Sequence, residues 1–250
     1  EDGSSGALVQ TVFDKLLAFP EFDLAANPEA HHLLTTQYPR EFLNFLRARV
    51  EFEASGQSPK GFRAIPGFRP LWLDSAKLRT APDFEQLRED VWLRAVAETE
   101  SSDRWLRLLQ TFALDDNAWL LPRMINEIDN ARTIERLHRV TRFLSFPGSL
   151  MVFGQPEITR RFLTRAREIG EYDQIRWALY TATGPHLPLW TNGKKDALDD
   201  YVEAEALKAA ERQRHDPELL PFFSWVAECE QAKKRRASAE HELRMLEFQS

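Results

Sequence analysis

Several things are scarce in this chain, and each scarcity excludes something. One cysteine in 250 residues, Cys229, leaves no intrachain disulfide to form and points to an intracellular setting. Glycine is sparse at ten residues, as expected where helices dominate. No run approaches the roughly eighteen apolar residues that span a bilayer, so a cytoplasmic protein with no membrane partner is expected. There is no HExxH and no pair of CxxC sequences to hold zinc, and no GxxxxGK(S/T) or GxGxxG to cradle a phosphate. No metal, no cofactor and no catalytic residue is therefore expected within these residues.

What is present suits a globular protein. Apolar residues make up 43% and charged residues 29%, too apolar for disorder. A chain of this size buries about three quarters of its unfolded surface, so its stability needs no staple. The formal charge of −6 argues against a general nucleic-acid coat but leaves room for a local basic patch. The opening Glu1-Asp2-Gly3-Ser4-Ser5-Gly6 has neither a methionine nor a signal-peptide pattern, which is expected of a piece of a longer protein.

Helical grammar recurs along the chain. Ala7 to Phe19 carries Leu8, Val12, Leu16 and Phe19 at helical spacing. Asn27-Pro28-Glu29, Gln155-Pro156-Glu157 and Asp216-Pro217-Glu218 read as helix starts, with Thr80-Ala81-Pro82-Asp83 as a capping-box variant. Pro39 opens a helix with Phe42, Phe45, Leu46 and Val50 on one side. Further helices are expected at 82–99, 102–113, 116–129, 131–145, 156–169, 171–183, 197–214 and 217–247, with a short turn or kink before Pro221. Several are apolar on two sides, as inner helices of a layered array are. Ser149 to Phe153 is the best strand candidate and reads as a buried loop. Gly56 to Pro70 is an extended connector whose aromatics pack back onto the helices. The expected division is an N-terminal helical part at 1–55, a Pro/Gly-rich connector at 56–81 and stacked helix pairs at 82–250. Helix pairs every 35 to 45 residues or so suit a degenerate solenoid, with one irregular bundle as the alternative.

Chemistry-bearing residues are few. His31 and His32 are adjacent, so on a helix they diverge by about 100° and suit no common ion. Cys229 lies on an apolar stripe, where a buried inert thiol is the plain reading. The stretch from Asn130 to Gly170 is unusual: eight arginines face three acids, Glu135, Glu157 and Glu168, with no lysine. Arg132, Arg136 and Arg139 are spaced to share one helical face, and Arg161 and Arg165 another. Arginine's planar fork suits paired contacts to carboxylate or phosphate. Either these residues pair with acids of neighbouring helices, such as Glu127, Asp129 and Glu168, or Arg132, Arg136, Arg139, Arg161 and Arg165 form a partner-binding patch. The partner would be a protein or, alternatively, a nucleic acid. An enzyme with a motif-free site using His31, His32 or His138 is the remaining rival.

Pro39-Arg40-Glu41-Phe42-Leu43 through Arg47-Ala48-Arg49, Gly148-Ser149, Pro156-Glu157-Ile158, Phe162 to Arg167, Trp190-Thr191-Asn192-Gly193 and Pro217 to Val226 form a series of signposts. With them the chain resembles the HEAT-like helical region that trails large bacterial proteins, among them STAND-type NTPases of anti-phage defence. The resemblance implies an all-α, irregular HEAT/ARM-like solenoid of about ten helices that serves as a sensor or scaffold. The NTPase and effector parts of such proteins are not represented in these residues.

Overall fold

The computed structural model describes residues 3–20, 27–65, 75–97, 102–112, 116–144, 151–183 and 196–247. Those residues are all-helical, with no strand among them, and no helix among them is long and apolar enough to cross a membrane. The chain divides into two compact units, Glu1–Leu120 and Leu121–Ser250.

The first unit begins with α1 (Gly3–Leu16), α2 (Pro28–Gln37) and α3 (Pro39–Ala54). Asn27 caps α2 as its sequence suggests, its side chain accepting the Ala30 N–H at 3.0 Å, and Pro28 sits where a missing donor costs nothing. Phe42, Phe45, Leu46 and Val50 form the buried side of α3. Helix α1 ends at Leu16, before the expected Phe19, and its expected stripe is on the wrong side: Leu8 and Val12 are exposed and Phe13 is buried instead. Phe13 stacks on Phe45 at 4.3 Å between ring centroids. One large ring meeting another outweighs a stripe of smaller side chains, because an aromatic buries more area per residue.

Arg49 is the largest fully buried side chain in the described chain, at 0% exposure. Its Nε donates to the Ala64 carbonyl at 2.8 Å, and one Nη donates to Leu16, Leu17 and Phe19 carbonyls at 3.1, 3.0 and 2.9 Å. The other Nη donates to the Arg63 carbonyl. The guanidinium also lies 4.4 Å from the Phe62 ring centroid, while Phe62 packs edge-on against Phe52 of α3. Thus one cation ties the end of α1 and the Pro/Gly connector to α3. The loose carbonyls at a helix C-terminus carry partial negative charge, which suits it. Burial still pulls its pKa below the ordinary arginine value, with the Glu53 charge opposing.

The rest of this unit is α4 (Ser75–Leu78), α5 (Phe84–Val96), α6 (Ser102–Gln110) and the first turn of α7 (Asn117–Asn130). The expected capping box before α5 does not form, because the Thr80 hydroxyl bonds back to the Lys77 carbonyl at 2.7 Å. Helix α6 is apolar on two sides as expected, burying Trp105, Leu106, Leu108 and Leu109.

The second unit continues with α8 (Ile134–Thr141), a 3-10 turn (Arg142–Leu144), α9 (Met151–Gly154), α10 (Pro156–Ile169), α11 (Tyr172–Ala182), α12 (Asp196–Arg212) and α13 (Leu219–Glu247). Within the segment expected as a buried loop, Met151 to Phe153 are buried but form a helical turn. The Gln155 N–H closes it onto the Met151 carbonyl at 2.8 Å. Gly170 ends α10 at φ 86°, a left-handed cap that a side chain would strain. The turn expected before Pro221 is there, since α13 starts at Leu219 and places the proline inside its first turn. Phe222, Phe223 and Val226 are fully buried along α13.

Arg49→Ala would take the guanidinium donors from the Leu16, Leu17, Phe19, Arg63 and Ala64 carbonyls and is expected to cost about 3 kcal/mol in urea unfolding. Arg49→Lys, with fewer and less directed donors, should recover only part of that. A wild-type unfolding midpoint for Arg49→Ala would show that the guanidinium is dispensable.

Candidate functional site

The arginine-dense stretch occupies α8 and α10. Helix α8 starts at Ile134, and the Thr133 side chain caps it by accepting the Arg136 N–H at 3.3 Å. Arg132 therefore precedes the helix and does not share a helical face with Arg136 and Arg139, contrary to the spacing argument. The Thr133 hydroxyl satisfies a loose N–H, so the helix begins at Ile134, two residues past Arg132. Arg132 is exposed, and Arg136 and Arg139 are half-buried.

The structure gives most of these guanidinium groups partners inside the fold. Arg136 donates through Nη2 to Glu127 of α7. Arg161 donates to Asp129 through Nη1 at 2.7 Å and to Glu157 through Nε at 2.9 Å. Arg165 reaches the Ala131 carbonyl just past the end of α7 through Nε at 2.7 Å and through Nη2, and pairs with Glu168 through Nη1. Arg167 pairs with Glu218 and covers the Tyr172 ring at 4.7 Å. Arg139 and Arg142 also have contacts within the fold. Glu127, Asp129 and Glu168 are the acids the sequence suggested as neighbours. The hydrogen bond from Arg161 to Asp129 outweighs partial burial and raises the guanidinium above its ordinary value.

Sequence reasoning missed a further pairing. Arg160 donates to Asp216 through Nε at 2.9 Å and Nη2 at 2.6 Å, while its Nη1 holds Glu157. The other Asp216 oxygen accepts the Glu218 and Leu219 N–H groups, both at 2.9 Å, and so caps α13. In the first unit, Arg88 of α5 donates to Asp116 at 2.6 Å and pairs with Glu85, while the other Asp116 oxygen accepts the Trp119 N–H at 3.1 Å. Each unit thus contains the same staple: an arginine three residues after a glutamate, gripping an aspartate that caps a later helix. Apart from the helix-start signal at Asp216, its traces in the sequence are the Glu85–Arg88 and Glu157–Arg160 spacings. Burial pushes both aspartates up, but the arginine and backbone hydrogen bonds outweigh it and hold them below the usual carboxylate range.

A third cluster lies on α11 and α13. Glu230, 2% exposed, accepts the Tyr180 hydroxyl at 2.7 Å and the Lys233 ammonium at 2.8 Å on one oxygen. Burial is the main reason the Tyr180 pKa is pushed up to about 12. Glu230 continues the Phe222–Val226 stripe at four-residue spacing, a sign that could have marked it as buried. Neighbouring Cys229 is half-buried, and burial followed by the Glu230 charge pushes its thiol up, which disfavours the reactive thiolate.

The histidines gather no ligand set. His32 and His138 are exposed, the His31 side chain lies outside the described residues, and no group of three metal-ligating side chains occurs among those described. Asp216, beside His215, is committed to its cap and to Arg160.

Protein-family models, curated proteins and solved structures yield no match to this chain.

The depressed pKa values of Asp116 and Asp216 set an acid sensitivity. Their contribution is present in full above the unfolded value near 4 and is lost as pH falls through the lower folded-state values. Asp216→Ala is expected to cost about 1–2 kcal/mol at pH 7, and its stability should fall less than wild type between pH 5 and pH 3 in urea titrations. Equal acid slopes for the two proteins would remove Asp216 from the account.

Proposed function

We propose that this chain is a protein-interaction scaffold, a HEAT-like α-solenoid segment of a larger bacterial protein of the STAND type acting in anti-phage defence. It takes a carboxylate-bearing partner on the arginine face of α8 and α10. The bacterial and defence parts of this reading rest on the resemblance in the signposts from Pro39 to Arg49 and from Gly148 to Val226. The repeat arrangement is supported by helices packed against their sequence neighbours, α5 with α6, α10 with α11, and α12 with α13. The staple that recurs in each unit supports it further.

The observation that carries the binding role is the state of Arg161. Its Nε and one Nη are held by two acids from different helices, its side chain is 36% exposed, and its second Nη forms no hydrogen bond among the described residues. The guanidinium is thereby fixed in place with donors left over, and a fixed donor loses little entropy when a partner arrives. Arg132, exposed and immediately before the α8 cap, adds positive charge. Nearby carboxylates neutralise much of the face, so recognition would be directional rather than a matter of bulk charge.

Surface ion pairs are worth about 0.2–1 kcal/mol each, so the double variant Arg132→Glu with Arg161→Glu is expected to stay folded by circular dichroism. It should lose at least about tenfold of partner capture from a lysate of the source cell, quantified against wild type. Unchanged capture would sink the proposal for this face. Capture abolished by nuclease, with a steep salt dependence, would reassign it to nucleic acid.

A further inference from the structure

In both units the chain covers its own aromatic rings with its own cations. Arg49 stands 4.4 Å from the Phe62 centroid, Arg88 4.3 Å from Trp119 and Arg94 4.5 Å from Trp105. In the second unit Arg176 stands 4.3 Å from Trp225, and Lys233 4.6 Å from Tyr180. Trp177 of α11 breaks the habit. It meets Trp225 at 5.0 Å and 85° and Tyr180 at 5.5 Å and 74°, both edge-to-face. The ring is 51% exposed, and among the described residues no cation stands over it. Those edge contacts fix the indole against two large neighbours, so its open face is rigid.

An acidic residue shares its helical face. Asp173 lies four residues earlier on the same helical face and is 77% exposed. It uses Oδ1 for Arg176 at 2.9 Å. Glu228, one turn after Trp225, is exposed. The neighbouring cations are engaged: Arg176 with Asp173, Lys233 with Glu230 and Arg167 with Glu218. The chain as a whole carries −6, which favours the approach of a cationic segment to this face.

We propose that Trp177 is a docking point for a basic segment of a partner protein, which lays an arginine or lysine over the open indole face with Asp173 beside it. The partner's cation would thus make the contact that the other rings receive from within the chain. Tryptophan, tyrosine and arginine also dominate the energetics of protein interfaces. This surface differs from the arginine face in its helices and in the charge it selects, and neither depends on the other.

The probe is fluorescently labelled hexa-arginine, with hexa-glutamate as the charge control, titrated by anisotropy into the full chain at low salt. Hexa-arginine is expected to bind wild type, and hexa-glutamate more weakly or not at all. Trp177→Ala and Trp177→Leu should each weaken hexa-arginine about two- to fivefold, the leucine retaining apolar area without a π face. Asp173→Asn should weaken it further, Trp177→Phe should retain most of it, and Arg132→Ala should leave it unchanged even if the arginine face fails its own test. Circular dichroism and urea midpoints establish that each variant is folded. Wild-type affinity in both Trp177→Ala and Trp177→Leu overturns the proposal, as does equal binding of the two peptides or no binding of hexa-arginine.

Discussion

A guanidinium group holds five donors in one rigid plane, and in this chain that plane joins segments that local structure cannot join. Arg49 shows it most fully. Buried, and with no paired carboxylate among the described residues, it is satisfied by carbonyls from the end of α1 and from the connector. Removing a charge from water is costly, and only a nearly complete set of acceptors offsets that cost. The α1 C-terminus and the connector therefore have one arrangement that satisfies the cation, and their backbone is held to it.

The same group acts at helix starts. Arg88 and Arg160 each grip the aspartate that caps a later helix, so one carboxylate satisfies loose N–H groups on one oxygen and a cation on the other. A cap alone fixes where a helix begins; a cap held by a neighbouring helix also fixes where that beginning lies in space. The mostly exposed pairs, such as Arg40 with Asp83, are screened by water and contribute little. The two aspartates are half-buried, each holding a cation and a cap at once, and decide more. Recognition, as proposed, draws on the same chemistry: Arg161 is fixed with a donor to spare, and Trp177 is a ring without a cation.

The helical elements were legible because their signals act over one turn. Asn27 before Pro28, Gln155 before Pro156 and Gly170 after Ile169 mark ends that the structure reproduces. The alternatives at α1 were not separable by periodicity, since Leu8–Val12 and Phe13 each lie on a plausible face and only the Phe42–Phe45 surface of α3 chooses between them. Thr80 had the right residue type for a cap, but its hydroxyl found a nearer carbonyl. Arg132 fell off its face because the Thr133 cap moved the helix start. Of the candidate site, the acids Glu127, Asp129 and Glu168 could be named in advance, whereas the staples and the seam of α11 and α13 could not.

By itself the sequence determined the all-helical class, most helix starts and the buried side of α3, because each depends on contacts within about four residues. Tertiary structure decided the pairings between segments far apart in the chain. Arg88 and Asp116 are 28 residues apart and Arg160 and Asp216 are 56, and no local rule spans such distances. Arginine's long side chain can reach many partners, and only the packing of the helices leaves it one.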